Sequence, residues 1–386
     1  MAGLPDKERV LMGPGPSPVS PRVMRAMAAP VVSHLDPLMV ALLDDLRAQV
    51  ASVIGAPAGA FSFAVSGTGT AGMEAAVATL VGQGTRALVV VTGYFGERLV
   101  QMCQRYGAQV SRVDVEWGRA VDPDAVRRAL QAGGIDVVAV VQAETSTGVL
   151  NPVPEVAALA REFGALTIVD TVTSLGAHPV DMAAWDADAV YSCSQKGLGA
   201  PSGLAPLSVS QRARARHAAR SFYLDLDLLE QFWVGRKYHH TISAPLVYAL
   251  HEALAIVIEE GLEARSARHE RHHHALAAGL AAMELGLLPP PGERLWTLNA
   301  VVVPDGVNEA DVRQHLLERF DIEIGAGLGP LAGRIWRVGL MGAGSTPAHM
   351  RLVLTAFEKA LRAQAVRVTP GAGVAAAEEA LTAATR

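Results

Sequence analysis

One lysine in this chain stands in surroundings that suit a reacting amine. Lys196 follows the apolar run Ala189-Val190-Tyr191 and the small residues Ser192-Cys193-Ser194, with Gln195 just before it and Gly197-Leu198-Gly199-Ala200-Pro201 after it. Glycine and proline on its C-terminal side break regular structure. The lysine therefore falls on a strand end or tight loop with little bulk beside it, where a flat ligand can come close. The same residues also describe an ordinary surface lysine in a turn, so the rest of the chain has to choose between the two.

Several other stretches carry possible chemistry. The apolar run Leu166-Thr167-Ile168-Val169 ends in Asp170, and a carboxylate at the end of a buried strand is costly unless something positive meets it. A helix cap or a structural hydrogen bond is the alternative. One strand-sized element separates Asp170 from Lys196, so adjacent strand ends can hold both. Phe61-Ser62-Phe63-Ala64-Val65 reads as a strand running into Ser66-Gly67-Thr68-Gly69-Thr70-Ala71-Gly72, with a helix expected from Met73. Exposed N–H groups and the helix dipole then face the loop, and the threonine hydroxyls add donors, which makes an anion cradle. No Gly-Lys-Ser/Thr follows, so this is not a nucleotide P-loop, and the dinucleotide spacing is missing too. A plain strand-to-helix turn uses the same glycines.

Gly93-Tyr94-Phe95-Gly96 places two aromatics at another strand exit, where either ring could stack on a planar ligand or simply pack. Gln142-Ala143-Glu144-Thr145-Ser146-Thr147-Gly148 is a hydroxyl-rich exit of the same kind. Arg337 interrupts the apolar strand Ile335-Trp336-Arg337-Val338-Gly339; its partner is an internal acid or a ligand carboxylate, the best match for a guanidinium fork. His269, His272, His273 and His274 have helical spacing that could bind a metal, but a solvated helix face rich in Arg and His is the simpler account, and no metal site is expected.

An alternation of strands and helices has to position these residues. Strands are expected at 87–92, 109–113, 137–141 and 166–169, with helices at 96–106, 122–131 and 155–163 between them, a pattern of mainly parallel α/β architecture. After Leu204–Val209 the sequence turns helical, at 212–219, 224–232, 245–260 and 263–285. A second, smaller α/β domain follows Pro289-Pro290-Pro291, with strands at 295–303 and 335–339 and helices at 309–320 and 346–362. The expected organisation is an N-terminal arm (1–22), a large domain (23–260), a small domain (261–366) and a tail (367–386). The arm holds Gly13-Pro14-Gly15-Pro16-Ser17-Pro18, too much proline for a helix. It is either disordered or laid across a partner.

Bulk properties narrow the class. At 386 residues the chain suits one large plus one smaller domain. Half of it is hydrophobic, yet no run of about eighteen or more apolar residues occurs, so no membrane span is expected. A net charge of −5 argues against a nucleic-acid surface. The two cysteines, Cys103 and Cys193, make no disulfide framework, and Met1-Ala2-Gly3-Leu4-Pro5-Asp6-Lys7-Glu8 has no signal pattern. A reducing cytoplasm fits these features.

An anion cradle, a stacking aromatic, a strand-end acid and a lone lysine together suit pyridoxal 5′-phosphate, with Lys196 forming the Schiff base, Asp170 on the ring nitrogen and Arg337 on a substrate carboxylate. The motifs Ser-Gly-Thr-Gly-Thr at 66–70, Glu-Thr-Ser-Thr-Gly at 144–148, Val-Asp-Thr-Val-Thr-Ser-Leu-Gly at 169–176, Ser-Gln-Lys at 194–196, Tyr-His-His-Thr at 238–241 and Arg-Val-Gly-Leu-Met-Gly at 337–342 occur in the order found in class V aminotransferases. The chain most resembles their alanine–glyoxylate and serine–pyruvate branch, from Gly13 to the last long helix.

The resemblance implies the fold type I of pyridoxal-phosphate transferases: a mainly parallel sheet in a large domain, with a smaller α/β C-terminal domain. It implies that Thr68, Gly69, Thr70 and Gln195 bind phosphate, that Phe95 stacks on the ring and that Val172 packs on a ring face. Thr145 would lie near the ring hydroxyl or nitrogen edge. Tyr238 and Thr241 would reach the phosphate of a neighbouring subunit in a homodimer, and Gly15 and Arg337 would line the substrate carboxylate site. Relatives in this branch often carry His where Thr70 stands and Trp where Phe95 stands, which changes stacking area and pocket width. The implied reaction moves an amino group from a small L-amino acid, alanine or serine, to glyoxylate or pyruvate. A desulfurase of the same fold needs a mobile cysteine on a small-domain loop, where this chain has none, and a non-catalytic relative has no need to keep Lys196, Asp170 and Arg337 together.

Overall fold

Seven strands build the central sheet of the computed structural model, which describes residues 3, 7–217 and 220–383. They are β1 (Phe61–Ser66), β2 (Arg86–Val91), β3 (Gln109–Asp114), β4 (Val137–Val141), β5 (Leu166–Asp170), β6 (Ala189–Tyr191) and β7 (Leu204–Val209). Their order across the sheet is β1-β7-β6-β5-β4-β2-β3. Every neighbouring pair is parallel except the two made by β7, which runs antiparallel to β1 and β6. The inner strands are continuous apolar runs such as Val-Val-Ala-Val-Val in β4, buried along their whole length, as strands covered on both faces must be. The edge strand β3 instead alternates towards solvent with Gln109, Ser111 and Arg112.

Because β7 alone is reversed, β1, β2, β4, β5 and β6 all end at one edge of the sheet, where open α/β sheets gather ligands. The helix after β1 begins at Gly69, with Thr68 as its N-cap, so the glycine–threonine stretch expected as a loop is already the first helical turn. The helix after β2 starts at Tyr94. Between β6 and β7 the chain reverses over residues 192–203 without a helix, and Lys196 sits in that reversal.

A second sheet holds β8 (Leu298–Val302), β9 (Gly325–Ala326) and β10 (Ile335–Gly339), antiparallel in the order β8-β10-β9. Its core takes Met350, Val353, Leu354, Phe357 and Leu361 from one stripe of the helix Pro347–Ala363. It also takes Met12 from near the N-terminus and Ala377 from the last helix, Ala372–Ala383. The N-terminal segment is thus tied to this second core: Val10–Leu11 pairs in parallel with Ile322–Glu323. A helix over Pro21–Met27 follows, capped by Ser20 with Pro21 at its first position. The proline density argued against a helix there, but the first turn has no use for the N–H that proline lacks.

The helix expected over 212–219 is short, Gln211–Arg214, and Ala218–Ala219 lie outside the described residues, as do residues 1, 2 and 4–6 of the arm and 384–386 of the tail. The long helix Leu262–Ala281 corrects another expectation. His269, His272 and His273 are buried rather than solvated, and only His274 of that cluster is exposed. Among the described residues no helix is long and apolar enough to cross a membrane.

Candidate active site

Lys196 is held from three directions. Ser192 N donates to Pro206 O at 2.8 Å and Ser194 N to Leu204 O at 3.0 Å, which continues the β6–β7 ladder into the reversal. Gly199 N closes a turn onto Lys196 O at 3.0 Å, and Ser17 Oγ donates to the same carbonyl at 2.7 Å. The side chain is 8% exposed and Nζ donates to Pro14 O. Burial lowers the pKa of this amine below the ordinary lysine range, and the nearby Arg337 pushes the same way. Gly15, at φ +110°, lies against it. A Cβ there would stand 2.6 Å from both Cδ and Cε of Lys196, so only glycine leaves the lysine its place.

Asp170 ends β5 and is 2% exposed. Its register partner on β6 is Tyr191, whose phenol donates to Oδ2 at 2.7 Å, while Val172 N donates to Oδ1 at 2.8 Å. Burial raises the Asp170 pKa to about 6, against the pull of these two donors and of Lys196 and Arg98. No Lys, Arg or His forms an ion pair with it among the described residues. A buried acid with a hydroxyl and an amide but no bonded cation is suited to a protonated ring nitrogen.

Asp170 and Lys196 line one cavity of about 150 Å³, together with Thr68, Gly69, Thr70, Met73, Phe95, Arg98, Val172 and Gln195. Gly69 is buried at the start of its helix, where a Cβ would meet Cys193 Cβ at 3.1 Å and Val172 Cγ2 at 3.2 Å. Thr68 makes no side-chain cap bond, so its hydroxyl remains available. Gln195 Oε1 is buried with no hydrogen-bond partner. Bare helix N–H groups, an uncommitted hydroxyl and an unpartnered carboxamide fit a phosphate group. The residues present therefore fit pyridoxal phosphate at both its ring nitrogen and its phosphate.

Three residues to which the sequence alone assigns no role belong here. Arg98 donates to Thr70 Oγ1 at 3.1 Å, and its guanidinium lies 5.0 Å from the centre of the Phe95 ring, a cation–π distance. Tyr191 was hidden because a tyrosine inside a strand reads as packing; its register against Asp170 is the signal that would have found it. Glu144 is fully buried. It accepts from Phe95 N at 3.2 Å, Gly96 N at 3.3 Å and both Ser146 N and Oγ, and so ties the helix bearing Phe95 to the β4 exit. Burial lifts its pKa to about 7. Of the two aromatics, Phe95 lines the cavity and Tyr94 packs edge-on against it, 5.6 Å away.

Arg337 sits in the middle strand of the second sheet, opposite Ala300 and Gly325. It donates from Nε to Ala326 O at 2.7 Å and from Nη1 to Thr145 O at 3.5 Å, and forms no ion pair among the described residues. Burial lowers its pKa to about 10, with Glu144 opposing. The internal salt bridge left open by the sequence is therefore not made, and the guanidinium retains capacity for a carboxylate. The Thr145 hydroxyl is engaged with Thr173 Oγ1, and neither Thr145, Gly15 nor Arg337 lines the 150 Å³ cavity itself. Tyr238 is 66% exposed, with its ring 5.4 Å from His34, and Thr241 is exposed. Within one chain, these two residues do not join the others.

The architecture is that of the fold type I pyridoxal-phosphate transferases. The ureidoglycine–glyoxylate aminotransferase of Bacillus subtilis superposes with a TM-score of 0.96 at 34% identity, covering 99% of this chain and 100% of that one. The alanine–glyoxylate aminotransferase of Nostoc sp. matches with a TM-score of 0.91 at 43% identity over 94% and 97% of the two chains. The pyridoxamine–pyruvate aminotransferase of Mesorhizobium loti gives 0.94 at 29% identity over 98% and 99%. The family model for class V aminotransferases matches residues 11–339. The chain belongs to that family, and it is a transaminase that depends on pyridoxal 5′-phosphate.

Proposed function

We propose that this transaminase moves the amino group of a small L-amino acid, alanine first and serine second, to glyoxylate, with pyruvate as a further acceptor. The observation that carries this reading is the meeting of a buried, pKa-depressed amine at Lys196 and a buried, cation-free carboxylate at Asp170 in one small cavity. The names of the Bacillus and Nostoc relatives support glyoxylate as acceptor.

Pyridoxal phosphate, when bound, supplies an aldehyde that exchanges amines and a ring that takes up the electron pair left at the substrate Cα. Thr68, Gly69, Thr70 and Gln195 would bind its phosphate, Phe95 and Val172 would pack on its ring, and Asp170 would hold the proton on the ring nitrogen. Thr145 would lie near the ring hydroxyl or nitrogen edge. Lys196 Nζ would hold the aldehyde carbon when no substrate is bound. Once displaced, and neutral because burial disfavours its charge, it takes the substrate Cα proton and returns it on the other side of the transfer. Arg337 orients the substrate carboxylate, and Gly15 leaves room for it beside the lysine. Tyr238 and Thr241, exposed at the surface of one chain, would complete the phosphate site of a partner copy in a homodimer. The domains run as arm 1–22, large domain 23–260, small domain 261–366 and tail 367–386, with the tail helix packed on the small domain. The two buried free thiols suit a cytoplasmic setting.

A second donor is favoured by one comparison. The Bacillus relative is named for (S)-ureidoglycine and is 34% identical over 96% of this chain. Desulfuration is disfavoured: Cys103 and Cys193 are both fully buried, and burial pushes both thiols up to about 12. Single-turnover absorbance of the holoenzyme with L-alanine, L-serine and (S)-ureidoglycine, each followed by glyoxylate, tests the reading. The expected result is loss of the visible cofactor band with alanine and its recovery with glyoxylate. A band unmoved by alanine but lost with ureidoglycine replaces the donor, and a band that glyoxylate does not restore removes the acceptor.

A further inference from the structure

The Arg- and His-rich stretch of the helix Leu262–Ala281 has no part in the transamination site, yet it lines a charged cleft behind the Lys196 loop. On the far side of the Lys196 loop lies a cavity of about 470 Å³ that shares no lining residue with the cofactor cavity. Arg265, Arg268, Arg271 and His272 line it, and Glu260 is the only acid among its lining residues. We propose that this cleft is a binding site for a small oxyanion, a phosphate ester or a dicarboxylate, gripped by Arg271, Arg268 and His272.

Charge balance carries the argument. Glu260 is committed on both oxygens, accepting from Arg265 Nη1 at 2.5 Å and from Arg268 Nε at 2.6 Å and Nη2 at 3.0 Å. Arg265 spends its other donors on Gly176 O and Gly197 O, at 2.5 and 2.7 Å. Arg268 Nη1 donates to Ser345 O at 2.8 Å. Arg271 makes no hydrogen bond or ion pair among the described residues. His272 is 2% exposed, and its Nδ1 bonds Ser345 Oγ at 3.0 Å, while its Nε2 has no partner among the described residues. Two guanidinium groups thus share one carboxylate and a third, Arg271, has none, so three positive charges meet a single negative one in the cleft. Burial, with the fields of Arg268 and Arg271, holds the His272 pKa down to about 4, as expected beside uncompensated positive charge.

The remaining wall also suits an anion. The 17-residue helix Pro347–Ala363 starts at the cleft, adding the positive end of its dipole. Forked guanidinium groups match the paired oxygens of phosphate or carboxylate. The occupant would also touch the catalytic loop. Leu198 and Gly199 line the cleft, and Arg265 holds Gly197 O, so a bound anion braces the segment that follows Lys196.

The test titrates the holoenzyme, its cofactor cradle already filled, with inorganic phosphate in one arm and succinate in another, read by calorimetry and by thermal midpoint. The visible cofactor band is followed to show that the cofactor stays bound. The expected result is saturable binding of at least one probe, weakened about tenfold or more in Arg271→Glu and less in Arg271→Lys. Phosphate alone identifies the phosphate-ester class and succinate alone the dicarboxylate class. Succinate held at the substrate site by Arg337 is unaffected by Arg271→Glu, so the difference between wild type and variant isolates the cleft. Absence of saturable binding by either probe, or equal binding in wild type and Arg271→Glu, overturns the proposal.

Discussion

Two sets of buried polar groups lie on either side of the loop that follows Lys196, and they differ in how far the chain itself satisfies them. Around Lys196 the groups are left unfinished. Asp170 has no bonded cation, Gln195 Oε1 has no partner, and Arg337 has no carboxylate among the described residues. On the helix Leu262–Ala281, His269 is complete: Nδ1 donates to Arg265 O at 2.7 Å, and Nε2 accepts from Gly342 N at 3.1 Å. His273 likewise pairs through Nδ1 with Asn299 Oδ1 at 2.7 Å. Burying a polar group without a partner costs about 1–3 kcal/mol, so a chain keeps such groups where a ligand finishes them. A histidine with both nitrogens satisfied is architecture, however metal-like its spacing.

Lys196→Ala gives the largest contrast. Transamination falls about 10⁴-fold, while the thermal midpoint of the apoenzyme holds or rises, because a buried amine with a depressed pKa does not stabilise the fold. A fall in apoenzyme stability of the size seen for a core residue would break the distinction. Asp170→Asn comes next, with activity down about 10²–10³-fold and cofactor retention weakened, read by turnover and by the visible band after dialysis.

His269→Ala reverses the pattern. It leaves Gly342 N unpaired and a cavity behind, so unfolding by denaturant loses about 2–4 kcal/mol, while turnover per folded molecule changes little. Loss of activity without loss of stability would move His269 into the working machinery.

The pH dependence of apoenzyme stability sharpens the comparison, since the two sets respond with opposite sign. Burial, aided by Arg268, lowers the His269 pKa to about 3, and burial lowers that of His273 to about 4, from an ordinary 6.5. The unfolded chain takes up these protons first, so this contribution is full above pH 6.5 and drains as pH falls through about 4 for His273 and about 3 for His269. Asp170 is raised from 3.8 to about 6, so its contribution is full below 3.8 and lost as pH rises through 6. His269→Ala therefore flattens the acid-side loss measured by denaturant titration, whereas Asp170→Asn removes the opposing slope between pH 4 and 6. The smallest effect belongs to Tyr238→Phe, which touches nothing in the cavity of its own chain. In the proposed homodimer it lowers cofactor affinity about tenfold or less, and it leaves the unfolding free energy of a single chain within about 0.5 kcal/mol.

Much of this was legible before any coordinates. Apolar runs such as 137–141 and 166–169 fall within one or two residues of β4 and β5, since a strand buried on both faces needs an unbroken hydrophobic stretch. Glycine and proline after Lys196 marked the reversal, because those backbone conformations depend on local residue type alone. Ends were read less well: the cradle helix starts at Gly69 instead of Met73, because a glycine at a helix start costs little when the helix packs.

The linear chain by itself settled the strand and helix alternation, the strand-end acid and lysine, and the family, since each rests on residue types at short spacing. Tertiary structure alone decided which polar groups are finished and which are open. It set Tyr191 against Asp170, left Arg337 without an internal acid, buried His269 and His273 among their partners, and lined one cleft with three arginines and a single glutamate. Those outcomes depend on strand register and on which helix faces which sheet. Both come from packing energies summed over residues far apart in sequence, and no local pattern records them.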